Sequence, residues 1–150
     1  MIIGITGIPF TGEKDGKTSA AHFLCEEFSS TYVDLMAPVI AVRNSLPPQG
    51  GVSLERLTNA ICARGRSIDS GFWLNLVIAN VPKDKLKNSI FDNLFFYNEY
   101  LFVKKNNGVV IEISSGKSPS NLDFAPDYIF HGLTKQELTK KLIEIVVARK

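Results

Sequence analysis

Residues 4–24 read GITGIPFTGEKDGKTSAAHFL, with Gly7 and Gly12 leading into Gly16, Lys17, Thr18 and Ser19. Those residue types suit the binding of a polyphosphate. Glycines let successive backbone amides curl inward around an anion, and a lysine beside them reaches the β- and γ-phosphates. A hydroxyl just after the lysine ligates Mg²⁺, and a helix starting there adds its positive end. The usual spacing is G-x-x-x-x-G-K-[ST], whereas eight residues separate Gly7 from Gly16 here. Glu13 and Asp15 put two negative charges in that lengthened middle. At ~7 Å and an effective dielectric of ~20, each repels a unit phosphate charge by roughly 2 kcal/mol. The expected solution is an outward bulge over residues 9–14, with the carboxylates turned to solvent or paired with Lys14, while Gly16 to Ser19 keep the nest.

A second group of candidates is cationic. Four of the five arginines, Arg43, Arg56, Arg64 and Arg66, lie between the second and third strand candidates. Arginine suits bidentate phosphate recognition, and Arg64 and Arg66 bracket Gly65. The alternative is a solvated basic helix face. Asp92 closes the third apolar run and reads either as a site residue or as a turn-forming aspartate. Trp73, among Phe72, Leu76 and Val77, is either core or an aromatic beside a base-binding cleft. Glu99 is expected to cap or pair on a helix. His22 reads as a surface residue and His131 precedes a turn; neither has a Ser or Cys partner that would make a hydrolytic triad. Cys25 and Cys62 read as buried thiols, and no Cys/His cluster has zinc spacing. The loop SGKSPSN could contact an adenine base or be a generic polar connection.

The elements that must hold these residues alternate strand with helix, the pattern of an α/β fold with a mostly parallel sheet. MIIGIT, TYVDLM, NSIFDN, GVVIEIS and DYIFHG are the strand candidates. A helix from Lys17 to Phe28 carries Ala20, Ala21, Leu24 and Phe28 on one stripe. APVIAVRN is a short helix stopped by SLPPQGG. Ser53 should cap LERLTNAICAR, with Gly65 ending it, and Ser70 should cap GFWLNLVIANV, closed by Pro82. A helix with Tyr97, Leu101 and Val103 ends at NNG. Thr134 and Glu137 form a capping box for a last helix with Leu138, Leu142, Ile145 and Val146.

A chain of 150 residues suits one domain, 1–150, and its 45% hydrophobic and 21% charged residues are ordinary for a globular protein. A net charge of +2 is too mild to predict nucleic-acid or membrane binding. No apolar run spans a bilayer and no signal peptide is evident, so a cytoplasmic protein is expected.

Several segments together resemble the bacteriophage-type deoxynucleoside monophosphate kinases, a branch of the P-loop nucleoside monophosphate kinases. GITG…GKTSAAHFL is similar to that family's G-x-T-G…G-K-D-T-x-A-x-x-L, and RGRSIDSGFWLN to its G-R-x-I-x-x-D/G-F-W-x-N. FDNLFFYNEYLFVKKNNGVVIEI resembles D-x-R-F-x-N-E…G-G-x-V-I-x-I, and DYIFHGLTKQEL resembles D-x-x-I-x-N-x-x-x-x-x-E-L. The matches are collinear over nearly the whole chain. The resemblance implies a three-layer P-loop fold with a five-stranded parallel sheet ordered 2-3-1-4-5. It also implies ATP and Mg²⁺ as cofactors and transfer of the γ-phosphoryl to a deoxynucleoside 5′-monophosphate, in a host cytoplasm if phage-encoded.

On that likeness Gly7, Gly12, Gly16, Lys17, Thr18 and Ser19 hold ATP, and Thr18 and Asp92 the metal. Arg43, Arg64, Arg66, Asp69 and Trp73 face the acceptor, and Lys17, Asp92 and Arg66 carry catalysis. Partners are small-molecule nucleotides, with no nucleic acid and no membrane, and room for a homodimer. The departures are the lengthened loop, Leu94 in place of the motif arginine and His131 in place of asparagine. Phosphoryl transfer depends on positioning and on cations that neutralise the transferring oxygens. Two readings therefore stand: a kinase, or a weakly active or inactive relative that binds nucleotide or protein.

Overall fold

In the computed structural model, residues 1–7, 16–47, 50–114 and 122–149 are described. Gly12, Glu13, Lys14 and Asp15 lie outside them, as do the bulge expected over residues 9–14 and the loop 115–121. The order of elements is β1 (Ile3–Thr6), α1 (Gly16–Phe28), β2 (Thr31–Asp34), α2 (Ala37–Ser45), α3 (Leu54–Ile68) and α4 (Phe72–Asn80). Then come α5 (Lys83–Leu86), β3 (Ser89–Asp92), α6 (Tyr97–Lys105), β4 (Val109–Ser114), β5 (Tyr128–His131) and α7 (Lys135–Val147).

The strands are short apolar runs because most are covered on both faces, as parallel strands under crossover helices must be. Every residue of β1, β3 and β4 is buried. All pairings are parallel, in the order β2-β3-β1-β4-β5. Strand alternation sorts side chains to the two faces. Ile3, Ile5, Ile90 and Ile111 pack with Ala20, Ala21 and Leu24 of α1 and with Leu138, Leu142 and Ile145 of α7. Ile2, Val33, Phe91 and Val110 face the other way, onto Leu74 and Val77 of α4 and Val103 of α6. A smaller cluster of Met36, Val39, Cys62 and Trp73 joins α2, α3 and α4. The result is a three-layer α/β fold whose strands all end on one edge, where such folds bind ligands.

Local signals explain most boundaries. The Thr134 hydroxyl accepts from the Glu137 amide, and Glu137 returns a bond to the Thr134 amide, so the expected capping box starts α7. Ser53 caps α3 by accepting from the Arg56 amide. Gly65, however, does not end α3, which continues to Ile68. A Cβ at position 65 would lie 2.4 Å from the Trp73 ring, so this glycine makes room for the tryptophan within the helix. Nor does Ser70 cap α4. The N-cap is Gly71, and the Asp69 carboxylate organises the turn by accepting from the Gly71 amide at 2.8 Å. The four-residue α5 was not anticipated, being too short to show periodicity. Leu94 is fully buried beside Phe91 and Val103 and sits over Gly4, so position 94 is part of the core.

Candidate active site

Because β1 and β3 are neighbours in the sheet, α1 starts above the end of β3. Lys17 and Thr18, in the first turn of α1, therefore meet Asp92, the last residue of β3. Lys17 Nζ donates to Asp92 Oδ1 at 2.9 Å, and Thr18 Oγ1 donates to Asp92 Oδ2 at 2.9 Å. Two further donors complete the carboxylate: the Asn93 amide to Oδ1 at 2.7 Å and the Tyr32 hydroxyl to Oδ2 at 3.1 Å. Four donors match the roughly four lone-pair sites of a carboxylate, which is how Asp92 tolerates complete burial. Lys17 is itself only 4% exposed, so the pair is a buried one.

Neighbouring residues brace this corner. Asn93 accepts from Lys17 Nζ through its side-chain oxygen and donates through its amide nitrogen to Asp34 Oδ1 at 2.8 Å. The Lys17 ammonium also stands 5.6 Å from the centre of the Phe95 ring. Burial, with Asp92 and Asp34 nearby, pushes the Tyr32 phenol above its ordinary value, so Tyr32 stays protonated and donates. Its ring stacks on the exposed His22 at 4.4 Å. Glu99 is buried and accepts from the Phe95 and Phe96 amides at 2.8 and 3.0 Å, which fixes the turn between β3 and α6. Burial raises its carboxyl to about 7, against the lowering effect of those two amides.

At the loop's entrance, Gly7 follows Thr6. A Cβ on Gly7 would lie 2.1 Å from the Ile113 carbonyl oxygen, so only glycine lets the chain leave β1 this close to β4. The Thr6 hydroxyl is buried without a hydrogen-bond partner among the described residues. Gly16 is exposed at the start of α1. Ser19 is exposed too, and lines a cavity of about 260 Å³ against α7, with Phe23, Leu133 and Leu138. Of the two hydroxyls, Thr18 is thus the one joined to Asp92.

The arginines are placed differently. Arg66 lies over the Phe96 ring at 3.7 Å and donates to Asn98 Oδ1 and the Ser70 carbonyl. Phe96 adjoins Phe95, so one turn carries an aromatic ring under each of two cations, Lys17 and Arg66. Arg64 is exposed and, two residues away on a helix, is turned by about 200°. It borders an apolar groove of about 400 Å³ with Val42, Ile61, Ile68, Phe72 and Trp73. Arg43 donates to Thr58 Oγ1 at 3.2 Å, tying α2 to α3. Trp73 is buried, and its Nε1 donates to the Cys62 carbonyl at 2.9 Å. The fold thus gathers Lys17, Thr18 and Asp92, leaves Arg66 beside the adjoining turn, spreads Arg43, Arg64 and Asp69 over the α2–α4 helices, and buries Trp73 between them.

Elsewhere, His131 Nε2 lies 3.0 Å from the buried Glu112 carboxylate. Cys25 and Cys62 are free thiols; burial raises both, Cys25 to about 11, so neither is a ready nucleophile. No helix among the described residues is long and apolar enough to cross a membrane. Tyr32, Asp34 and Asn93 escaped the reading of the sequence. The available signal was a polar residue ending each apolar strand, TYVD and SIFD, at the edge where parallel strands present their ligands.

No protein-family model matches the sequence, and no curated protein matches it significantly. Among solved structures, the chain is similar to a shikimate kinase from Aquifex aeolicus, at 13% identity and TM-score 0.50, covering 99% of this chain and 98% of that one. It is also similar to the APS kinase of Mycobacterium tuberculosis, at 11% identity and TM-score 0.49, covering 97% and 95%. A shikimate kinase from Bacteroides thetaiotaomicron aligns at 12% identity and TM-score 0.45, covering 97% of each chain. At these identities the likeness is one of fold alone, the Aquifex shikimate kinase sharing the architecture of this α/β chain with its five-stranded parallel sheet.

Proposed function

We propose that residues 1–150 form one functional unit, a nucleotide kinase that transfers the ATP γ-phosphoryl to a deoxynucleoside 5′-monophosphate. The observation that carries this reading is the contact of Thr18 and Lys17, at the N-terminus of α1, with Asp92 at the end of β3. In P-loop enzymes Mg²⁺ is held by the hydroxyl after the lysine and by an aspartate on a neighbouring strand. Thr18 Oγ1 and Asp92 Oδ2, 2.9 Å apart, are hard oxygen donors of the kind Mg²⁺ prefers. The Thr6 hydroxyl, without a partner among the described residues, and the exposed Gly16 at the start of α1 add polar groups beside the same corner. The residues present therefore fit Mg·ATP. Thr18 and Asp92 would hold Mg²⁺, which would supply positive charge to offset that of the phosphates.

The chain's own groups then have defined tasks. Gly16 and the first amides of α1 bind phosphate oxygens, and Lys17 neutralises charge at the γ-phosphoryl. Thr18 and Asp92 fix the metal side. Arg66, oriented by Phe96 and Asn98, holds the acceptor phosphate. That acceptor is already an anion, so no strong base is required. A cytoplasmic setting, where ATP is plentiful, goes with this role.

Two observations favour a second reading, a nucleotide-binding module without turnover. Lys17 is held by Asp92, and Arg64 and Arg66 face apart, so the cations converge less than phosphoryl transfer requires. A coupled assay of ADP release, with Mg·ATP and each of the four deoxynucleoside monophosphates, decides between them. Turnover that Lys17→Ala abolishes, in a variant shown by its melting curve to be folded, supports the kinase. An ATP-induced thermal shift without turnover supports the module, and neither signal would overturn both.

A further inference from the structure

We propose that Asn93 is a positioning residue for the Lys17 ammonium, with its amide clamped between that ammonium and the Asp34 carboxylate. The proposal goes beyond the assignment of Lys17 to phosphate, and its link to ATP rests on that reading. Three contacts fix Asn93: Lys17 Nζ donates to its Oδ1, its Nδ2 donates to Asp34 Oδ1, and its backbone amide donates to Asp92 Oδ1. The charges on either side dictate the amide's direction. Turned over, it would set its NH₂ against an ammonium and its oxygen against a carboxylate. No other side chain of this length has a donor and an acceptor at its tip. Asparagine also tolerates the left-handed backbone found here, at φ 60°.

Asp34 is anchored in turn, its Oδ1 accepting from the Met36 amide at 2.9 Å. It ends β2, the edge strand, and helps line a cavity of about 460 Å³ with Tyr32, Pro38, Val77 and Pro82. The series Asp34–Asn93–Lys17 thus connects the β2 edge of the sheet to the phosphate lysine. Among the described residues Lys17 has one direct carboxylate partner, Asp92, and a second that acts through the Asn93 amide. A change at Asp34 reaches Lys17 only while Asn93 is present. Without the clamp the ammonium keeps Asp92 but loses its fixed direction.

The test combines Asn93→Gly, which allows the same backbone conformation, with Asp34→Ala and the double variant. The probe is the Lys17 ammonium resonance in ligand-free protein carrying nitrogen-15-labelled lysine, assigned by its loss in Lys17→Arg. The expected result is a protected resonance in the wild type that broadens or vanishes in Asn93→Gly. Asp34→Ala should shift it, and adding Asp34→Ala to Asn93→Gly should change nothing more. In the ADP-release assay, Asn93→Gly should lower kcat about tenfold with little change in the acceptor KM, the pattern of a transition-state interaction lost. A Lys17 resonance unaltered by Asn93→Gly, or an Asp34→Ala effect equal in both backgrounds, overturns the proposal. A wild-type protein that fails to bind Mg·ATP overturns the kinase reading instead, and the resonance still decides the clamp.

Discussion

The corner where β1, α1 and β3 meet and the surface formed by α2, α3 and α4 both carry charged candidates, arranged in different ways. In the corner, Lys17 and Thr18 meet Asp92 across 75 and 74 residues of sequence. On the helical surface, local contacts stand beside distant ones: Arg66 bonds the Ser70 carbonyl, four residues on, as well as Asn98, and Asp69 bonds the Gly71 amide. Parallel strands end on one edge, so residues there converge from any distance in the chain. A helix turns by about 100° per residue, so neighbours in sequence diverge around it. Arg64 and Arg66 lie two residues apart in the sequence and separate in space for that reason.

On this contrast, the corner should be costly to disturb and the helical surface should respond to packing more than to charge. The largest expected effect is for Asp92→Ala, which leaves a buried ammonium without its carboxylate. Breaking one side of a buried pair costs about 3–5 kcal/mol, so urea denaturation should show a loss of that size together with the loss of ADP release. A stability near wild type would mean that Lys17 swings to solvent and that the corner is as tolerant as a surface.

Glu99 tests the turn that joins the two regions. Its carboxyl is raised from 4.5 to about 7 by burial, so the folded state binds that proton more tightly than the unfolded chain does. Stability should therefore fall as pH rises from about 4.5 to about 7, by up to about 3 kcal/mol. Glu99→Gln, which cannot ionise, should remove that fall in denaturation curves taken between pH 5 and 7.5. The same slope in the variant would assign the effect to other groups.

Gly65→Ala examines the helical surface. The new methyl would press on Trp73 at 2.4 Å. Overpacking costs about 1–3 kcal/mol, against a helix-propensity gain of up to about 1. The melting temperature should drop while affinity for Mg·ATP stays unchanged; altered affinity would tie α3 to the corner. The smallest effect expected is at the arginines. Arg66→Ala should raise the acceptor KM about tenfold, or about 1.4 kcal/mol, while Arg64→Ala leaves it alone. Equal effects would show that the two arginines converge on one ligand after all.

How much could be read beforehand follows the same division. β1, β3 and β4 were legible because burial on both faces leaves uninterrupted apolar runs. The last helix was legible because its capping box and its stripe of Leu138, Leu142, Ile145 and Val146 are local signals. Gly65 misled because a glycine late in a helical pattern usually marks its end, and only the approach of Trp73 explains one inside. Leu94 looked like a missing cation while its position was taken from a motif. In the fold it fills the space over Gly4, where an arginine would be buried in the apolar core.

The sequence by itself determined the alternation of strands and helices, the placing of Gly16, Lys17 and Thr18 at the start of α1, and the aspartate closing β3. These depend on periodicity, glycine and capping chemistry, which act within a few residues. Which of these groups touch was decided only by the tertiary structure. Placing β3 beside β1, with β2 outside it, brings Asp92 under Lys17 and Thr18 and sets Tyr32, Asp34 and Asn93 around them. Strand order is fixed by the packing of whole layers, so no local stretch of residues encodes it.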